Sequence, residues 1–498
     1  MLPFEQNLPM IGILCCVLSG LCCLILPRRH ARYLSLATYA AHIVLSLLLV
    51  WHTLHEGVSF TYPMGHFPSP FGNELRAGPL EALIALFFSL VTFLSILGGT
   101  DDLERDIPAT KHSYFYIMTN MLLAAQLVIL YTNDIFTSFV FIESITLAAC
   151  SLIAIKPGGR TLVATIWYLV MNLVGGSLFF FSISMLYGVT GHLLMPGLGE
   201  AVATLAATGQ YTLPLFIVAG LLCTGLGIKC ALFPFHSWLP GAYKQATTAS
   251  SAVLSGLVSK CYIFLMFKVF VRVFGAPLMS ILRITDILLV LGVLGLLCGS
   301  LLAIRQSDIK SMLAYSSVAQ IGYIFIGIGL NTALGFAAAC FQIVVHAVVK
   351  AMLFIAAGGL ANASEHNFDW NSLRGAGHRN MAAGLLFTCG ALSMIGIPLF
   401  PGFMAKLHLA SASVGTPYAG IVLISVLALG TLLNAAYYVP ALMCLYAKTE
   451  AKTVTPQLTQ TLAHRIGLWS LGALSLGLGL FSSPIMETIE LGVALFGM

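Results

Sequence analysis

The amino-acid sequence predicts an all-α polytopic membrane protein, and three observations support that fold class. Of the 498 residues, 59% are hydrophobic and only 8% are charged, whereas soluble domains are about 45–50% apolar. Apolar runs follow one another along the whole chain, and a run of about 20 residues spans the hydrocarbon core of a bilayer as a helix. The connections between the runs are too short for a soluble domain, so we predict a single transmembrane domain over residues 1–498.

Fourteen apolar runs are long enough to be transmembrane helices. In chain order, the predicted helices are 9–27, 33–51, 79–99, 113–132, 134–155, 161–188, 212–233, 247–272, 284–304, 309–330, 333–359, 380–410, 419–446 and 466–484. The longest connections, 52–78 and 189–211, are lightly charged. No basic segment precedes the first run, so we expect no cleaved signal peptide.

The distribution of basic residues predicts the orientation of the chain. Lysine and arginine concentrate in cytoplasmic loops. If the amino terminus lies outside, the inside segments hold Arg28, Arg29, Arg32, Arg105, Lys111, Lys156, Arg160, Lys244, Arg305, Lys310, Arg374, Arg379, Lys448, Lys452 and Arg465, and the outside segments hold Arg76, Lys268, Arg272 and Arg283. We therefore expect an integral protein of a bacterial or archaeal cytoplasmic membrane with both termini facing out. The same bias explains the net charge of +5 without a nucleic-acid-binding surface.

The sequence shows no pattern typical of a cofactor, a metal site or an enzyme. All twelve cysteines lie in or beside apolar runs, without ligand spacing to histidine or acidic residues. We interpret them as free thiols that pack as small hydrophobic side chains. A phosphate-binding glycine loop, HExxH and CxxC are all absent from the sequence. No metal, cofactor or catalytic centre is therefore predicted.

Five ionisable residues lie inside apolar runs: Glu143, Lys229, Lys260, Lys350 and Lys406. An ionised side chain at the centre of a bilayer costs roughly 2.5–3.5 kcal/mol on insertion scales. Such residues face the protein interior or a water-filled cavity and mark ion or proton pathways. These residues are accordingly the first candidates for a functional site.

Two of the predicted helices carry the same interruption. Residues 225–239 and 396–409 both contain Leu-Phe-Pro, ending at Pro234 and Pro401. Proline removes a backbone donor, and paired interrupted helices in two halves of a transporter indicate its ion site. Lys229 precedes its proline by five residues and Lys406 follows its proline by five, the mirrored order expected of an inverted repeat. Alternatively, the shared motif reflects only the frequency of proline and glycine in membrane helices.

Glu143 has no basic residue within one helical turn, so its partner must come from another helix. We predict that Lys229 is this partner and that the pair opens and closes during transport. Alternatively, the pair is static and fixes helix packing. Lys260 follows small residues that let helices approach closely.

His346 and Lys350 are four residues apart and share a helix face, on which Gln342 also lies. A histidine there suits a proton relay, although a structural histidine is the alternative, and Lys350 could instead snorkel to the surface. His236 follows the Pro234 break and is a candidate gate. Glu81, near the start of its helix, is expected at the interface and outside the pathway.

These motifs resemble the antiporter-like subunits shared by respiratory complex I, membrane-bound hydrogenases and Mrp-type sodium/proton antiporters. The matching stretches are FIES around Glu143, GIKCALFPFHSWLPGAY at 227–243, SGLVSKCYIF at 255–264, DIKSMLAYSSVAQIGY at 308–323, VVHAVVKAMLFIAAG at 344–358 and GIPLFPGFMAKL at 396–407. Among these subunits, the D-type subunit of the Mrp antiporters is the most similar type. This comparison rests on the stretches GAY at 241–243 and GHFPSPFGNEL at 65–75.

The resemblance implies fourteen helices with two inverted five-helix repeats, at about 113–272 and 284–446, and breaks in helices seven and twelve. It also implies that the family's pathway residues correspond to Glu143, Lys229, Lys260, His346 and Lys406. Many members have histidine, glutamate and Ala-Pro after the Leu-Pro turn, where this chain has residues 243–247 as YKQAT. A role of that loop is therefore not carried over.

The function that follows is translocation of protons, or exchange of protons for sodium, along a midplane line of charged side chains. The resemblance implies other membrane subunits as partners, in an antiporter, hydrogenase or complex I-like assembly, and no cofactor in this chain. A transport-inactive scaffold that keeps the charges for packing is the main alternative. A carrier for an organic solute is a third hypothesis.

Overall fold

The computed structural model describes residues 4–67, 72–209, 211–414, 419–448 and 460–498. Lys452, one of the basic residues used to predict orientation, lies outside the described residues, as does part of the 65–75 motif.

The first half of the chain forms thirteen α-helices and a small hairpin. The helices are α1 (Leu8–Cys22), α2 (Arg28–Glu56), α3 (Pro79–Gly98), α4 (Thr100–Asp106), α5 (His112–Tyr131), α6 (Ile135–Ala154), α7 (Gly159–Thr190), α8 (Met195–Thr208), α9 (Thr212–Lys229), α10 (Trp238–Gln245), α11 (Thr248–Val253), α12 (Ser259–Val269) and α13 (Gly275–Ile281). The antiparallel strands β1 (Phe60–Pro63) and β2 (Glu74–Ala77) form the hairpin between α2 and α3. π-helical turns at Leu254–Val258 and Phe270–Phe274 join α11, α12 and α13.

In the second half, the regular elements among the described residues are all helices. They are α14 (Ile284–Ile304), α15 (Ile309–Gly329), α16 (Ala333–Asn362), α17 (Trp370–Leu373), α18 (Ala376–Arg379), α19 (Met381–Ile395), α20 (Pro401–Val414), α21 (Ala419–Leu445), α22 (Leu462–Leu480) and α23 (Ser482–Leu495).

All fourteen predicted transmembrane segments coincide with helices. Within the described residues, 12 helical spans are long and apolar enough to cross a membrane, or 13 if the pair α22 and α23, bent by 75°, is one span. The remaining segment, 380–410, is not one helix but the two shorter helices α19 and α20. The bend after Leu480 was not predicted, and α1 ends at Cys22 rather than near residue 27.

Side-chain caps start several of these helices where the sequence changes from polar to apolar. An Asp, Asn or Thr side chain accepts a hydrogen bond from a backbone N–H in the first turn, which satisfies one of the free donors there. The capping residues are Asp134, Thr247, Asp308, Thr332, Asn380 and Thr461.

The centre of the protein is α16, whose most apolar stretch is completely buried. It packs against α3, α11, α15, α19, α20, α22 and α23. Small residues let other helices touch through their backbones: a Cβ at Gly225 of α9 would lie 2.7 Å from the carbonyl oxygen of Gly175 in α7. Such close approach is typical of helix packing in membranes.

Glu81, in the first turn of α3, is buried inside the protein. Its Oε1 accepts a hydrogen bond of 2.5 Å from Arg76 of β2, and both side chains are at least 94% buried. Arg76 also donates to the carbonyl of Leu495 at 2.8 Å. The ion pair thereby ties the hairpin to α3 and to the carboxyl-terminal helix.

Two lysines counted among the outside and inside segments in the sequence analysis are also buried. Lys268 donates to the carbonyl oxygens of Leu130 at 2.6 Å and Thr132 at 2.8 Å, at the end of α5. Lys310 donates to the carbonyl oxygen of Ala246 at 2.8 Å, after α10. The burial of both lysines was not predicted, because their partners are backbone carbonyls and the pattern of charged residues in a sequence does not show such partners.

We predict that Arg76→Ala lowers the free energy of unfolding by about 3–5 kcal/mol, because it leaves the Glu81 carboxylate buried without its counter-ion. The double variant Arg76→Leu/Glu81→Leu should lose less. The measurement is thermal unfolding of the full chain in detergent. Arg283→Ala is the matched control, since its ion pair with Asp286 is mostly exposed and should contribute about 0–1 kcal/mol. Equal losses at the two sites would contradict the prediction.

Candidate functional site

Both predicted helix breaks are present and both lie beside a lysine. α9 ends at Lys229, five residues before Pro234, and the chain resumes through a 3₁₀ turn at Phe235–Ser237 into α10. α19 ends at Ile395, Gly396 follows in the left-handed region (φ +95°), and α20 starts at Pro401. The helix α9 ends at Lys229 rather than at the predicted residue 233. Lys229 therefore occupies its last turn, where the negative end of the helix dipole favours a cation.

The predicted ion pair between Glu143 and Lys229 is confirmed. Lys229 Nζ lies 2.8 Å from Glu143 Oε1 and donates to Thr146 Oγ1 at 2.9 Å. The Lys229 side chain is fully buried, while that of Glu143 is 24% exposed. The ring of Tyr262 lies 5.6 Å from the ammonium, within the range of a cation–π contact.

Asp134 positions α6, the helix that carries Glu143. Its Oδ1 accepts a hydrogen bond of 2.5 Å from the backbone N–H of Thr137. Burial raises the pKa of Asp134, and the hydrogen bonds from Thr137 offset only part of this shift. The hydrogen bond from Thr137 therefore keeps the Asp134 carboxylate at a position where it is partly removed from water.

Lys260 lies beside the π-helical turn at Leu254–Val258. Its ammonium donates to the carbonyl oxygen of Ser255 and to Ser259 Oγ at 3.2 Å. A π turn disturbs the regular hydrogen bonding of the helix and is frequent at functional sites. The acceptor for this fully buried lysine therefore comes from its own helix.

His346 is fully buried in α16, and neither of its ring nitrogens has a hydrogen-bonding partner among the described residues. The charges of Lys260 and Lys350 both act on its ring. Gln342, one turn away, donates to Gln320 Oε1 of α15 at 2.7 Å. Since buried polar atoms are normally hydrogen-bonded, an imidazole whose two nitrogens both lack a partner among the described residues calls for a functional explanation.

Lys350 does not snorkel, because its side chain is fully buried. It donates to the carbonyl oxygen of Leu313 at 2.9 Å and to the Ser316 hydroxyl. The Ser316 hydroxyl is in turn 3.2 Å from the Tyr438 hydroxyl. A hydrogen-bonded chain thus leads from Lys350 across α15 to α21.

Lys406 crosses the gap in its broken helix. Its ammonium donates to the carbonyl oxygens of Met394 at 3.1 Å and Ile395 at 2.6 Å, the last residues of α19. Thr431 Oγ1 of α21 accepts at 3.2 Å. Lys406 therefore neutralises carbonyls that the break leaves without helical donors.

His236, the candidate gate, lies in the break after α9, and within the described ranges no hydrogen bond joins it to one of the lysines. Its ring stacks on Phe233 with centroids 5.3 Å apart, and Tyr315 approaches it edge-on at 6.3 Å. Its Nδ1 is buried without a described partner. In the following loop, Lys244 forms an ion pair of 2.7 Å with Asp308.

The fold and these contacts define a polytopic membrane protein with ionisable side chains through its interior, an arrangement typical of ion-translocating proteins. Residues 132–433 match the family model described as NADH:quinone oxidoreductase/Mrp antiporter, TM. The chain belongs to this family. It is an antiporter-like, proton- or cation-translocating membrane subunit, as the motifs indicated.

Relatives of two kinds cover most of the chain. The NADH-quinone oxidoreductase subunit N of Desulforudis audaxviator is 32% identical over 83% of this chain and 80% of its own length. The D-type subunit of the Na⁺/H⁺ antiporter of Alkalihalophilus pseudofirmus is 28% identical over 82% of this chain and 81% of its own. A chain of the membrane-bound sulfane sulfur reductase, an archaeal respiratory complex, has the same fold, with a TM-score of 0.87, 24% identity and coverage of 99% and 96%.

We predict that Gly176→Ala reduces ion transport without removing a charge. A Cβ at Gly176 of α7 would overlap Glu143 Oε1 and lie 3.2 Å from Lys229 Cε. The flexible glutamate side chain must then move away, which lengthens the ion pair while the helices stay packed. The measurement is proton uptake by sealed vesicles that contain the assembled complex.

Gly188→Ala is the matched control for this change. Gly188 lies on the same helix, and a Cβ there would meet no atom within 4 Å, so transport should be unchanged. Normal transport by Gly176→Ala, or equal loss in both variants, would refute the prediction.

We predict that Asp134→Asn raises the thermal stability at pH 7, whereas Asp134→Ala lowers the free energy of unfolding by about 1 kcal/mol through loss of the cap. The raised pKa of Asp134 means that folding favours its protonated form, so stability falls as pH rises from the unfolded to the folded pKa. Asparagine keeps the cap without that penalty. Thermal unfolding in detergent at several pH values is the measurement. A lower stability of Asp134→Asn at pH 7 would contradict it.

Proposed function

We propose that this chain moves protons along a line formed by Glu143, Lys229, Lys260, His346, Lys350 and Lys406. The observation that carries the proposal is the Glu143–Lys229 ion pair of 2.8 Å at the end of a broken helix. When the pair opens, the free charges change the electrostatic field at the neighbouring lysines. Protons then enter the line from one side of the membrane and leave it on the other.

The state of His346 favours conduction over the scaffold alternative. A packing element gains stability from satisfied hydrogen bonds. A buried imidazole whose two nitrogens find no partner in the described part of the chain carries a desolvation penalty of about 1–3 kcal/mol. A group that accepts a proton on one nitrogen and releases it from the other needs both nitrogens accessible to changing partners.

One observation favours the scaffold as a second candidate. Lys350 and Lys406 donate directly to backbone carbonyls, which binds helices together without any movement. In the conducting function these contacts are the resting state, from which each ammonium turns toward the next group in the line. The two functions therefore differ in whether substitution of the lysines stops transport in an assembled complex.

The chain acts inside a larger membrane complex, together with other membrane subunits. Two inverted repeats, about 113–272 and 284–446, would place Lys229 and Lys406 in equivalent positions. Both termini would face out of a bacterial or archaeal cytoplasmic membrane. The chain itself would contain no redox or catalytic centre, so energy would come from its partners or from an ion gradient. The relatives named for sodium/proton exchange support a variant of this function in which protons exchange for sodium.

Copurifying subunits would separate the types of complex. Iron–sulfur partners would indicate a relative of complex I or of a hydrogenase, and their absence would indicate an Mrp antiporter.

We predict that Glu143→Gln and Lys229→Ala each abolish coupled ion transport while the complex still assembles. Each variant removes one half of the ion pair on which the opening step depends. The measurement is a pH-sensitive dye in sealed vesicles containing the purified complex, with subunit content checked by electrophoresis.

Lys156→Ala is the matched control, since it removes a lysine from a partly exposed ion pair with Asp106 outside the line. Its transport should remain normal. Normal pumping by an assembled Glu143→Gln or Lys229→Ala complex would instead support the scaffold.

A further inference from the structure

A basic pocket lies at the start of α2, on helices that carry none of the charged residues of the line. It encloses about 280 Å³ between α2, α4 and α5 and is lined by Arg28, Arg29, Arg32, Tyr33, Glu104 and Tyr116, among others. Three arginines and one glutamate give it a formal charge of +2. A pocket of this composition suits a ligand with phosphate oxygens, which guanidinium groups bind in a bidentate manner.

The arginines in the pocket retain free binding capacity. Arg28 and Arg29 are exposed and form no ion pair with a described residue. Arg32 contacts Glu104 at 3.3 Å through Nη1, but its buried Nε has no described hydrogen-bonding partner. One carboxylate therefore leaves most of the guanidinium donors available.

An apolar surface continues directly from the pocket. Along α2, an exposed face runs from Tyr33 through Val44 and Leu48 to Trp51, a length of about 27 Å at 1.5 Å per residue. Near the pocket, Leu24 and Ile25 in the turn between α1 and α2 are 60% and 89% exposed. The length of this face matches a hydrocarbon core of about 30 Å, and tyrosine and tryptophan at its ends are typical of the membrane interface.

From this combination we propose that the pocket binds the phosphodiester headgroup of an anionic phospholipid, whose acyl chains lie on the exposed face of α2. The phosphate accepts hydrogen bonds from Arg28 and Arg29, and the positive charge of Arg32 adds to the attraction. A soluble anion would use only the basic part of this surface. The headgroup of a zwitterionic phospholipid carries a cationic group of its own. Placing that group beside three arginines disfavours binding of such a lipid.

The test is native mass spectrometry of the full chain in neutral detergent, titrated with phosphatidylglycerol or phosphatidylethanolamine. Phosphatidylglycerol should bind more tightly. Arg28→Gln/Arg29→Gln should weaken its binding about 25-fold, or about fivefold for each arginine, the equivalent of about 1 kcal/mol. Both side chains are exposed, so thermal unfolding should show an intact fold.

Arg160→Gln/Arg305→Gln is the matched control, because it removes two exposed arginines outside the pocket and the same net charge. Lipid affinity should be unchanged in it. Equal weakening in both double variants, or equal binding of the two lipids, would overturn the proposal.

Two further arms distinguish other occupants. Inorganic phosphate should not displace phosphatidylglycerol at equal concentration, and displacement would indicate a site for free anions. In the purified complex, a photoactivatable phosphatidylglycerol should cross-link to α2. Cross-links from the pocket arginines to an acidic segment of a partner subunit, with no lipid labelling, would instead show a protein interface.

Discussion

The removal of ammonium groups from water is the constraint on which the interior of this protein depends. A buried lysine needs an acceptor inside the protein, and three of the lysines here find one at the end of a helix. Lys406 binds the last carbonyls of α19, Lys268 those of α5, and Lys310 the carbonyl after α10. These carbonyls have no helical donors and carry the negative end of the helix dipole. Each contact therefore gives a hydrogen-bonding partner both to a buried ammonium group and to a helix-end carbonyl, either of which would cost free energy if it were buried without one.

This constraint links the helix breaks to the lysines. A proline or an irregular turn in a membrane helix frees backbone groups that must be satisfied within the protein, and a long basic side chain reaches them. Lys229 differs from the other lysines, because its strongest partner is the Glu143 carboxylate rather than a carbonyl. A side-chain partner on another helix changes its distance when the helices move. The Glu143–Lys229 contact is for this reason the place where a neighbouring subunit would act on the line.

The sequence predicted the parts of this structure that follow from hydrophobicity and proline. It predicted the helical segments, both breaks and the Glu143–Lys229 pair, because an isolated intramembrane carboxylate requires a cation from another helix. It did not predict the burial of Glu81, whose partner Arg76 comes from a strand in a connection that looked irregular. Nor did it predict Lys268 and Lys310 as core residues. Backbone acceptors and the 75° bend between α22 and α23 depend on tertiary contacts that have no local sequence signal.

The balance of charge in the line bears on how it works. It contains one carboxylate, four lysines and a histidine, so these groups cannot all be ionised without strong mutual repulsion in a medium of low dielectric constant. Lys260 and Lys350 both act on the His346 ring, which has no hydrogen-bonding partner of its own among the described residues. A charge gained by any of the three raises the free energy of charging the others. Protonation along α12 and α16 is thereby coupled, and in the proposed function this centre would carry a change at the Glu143–Lys229 pair toward Lys406.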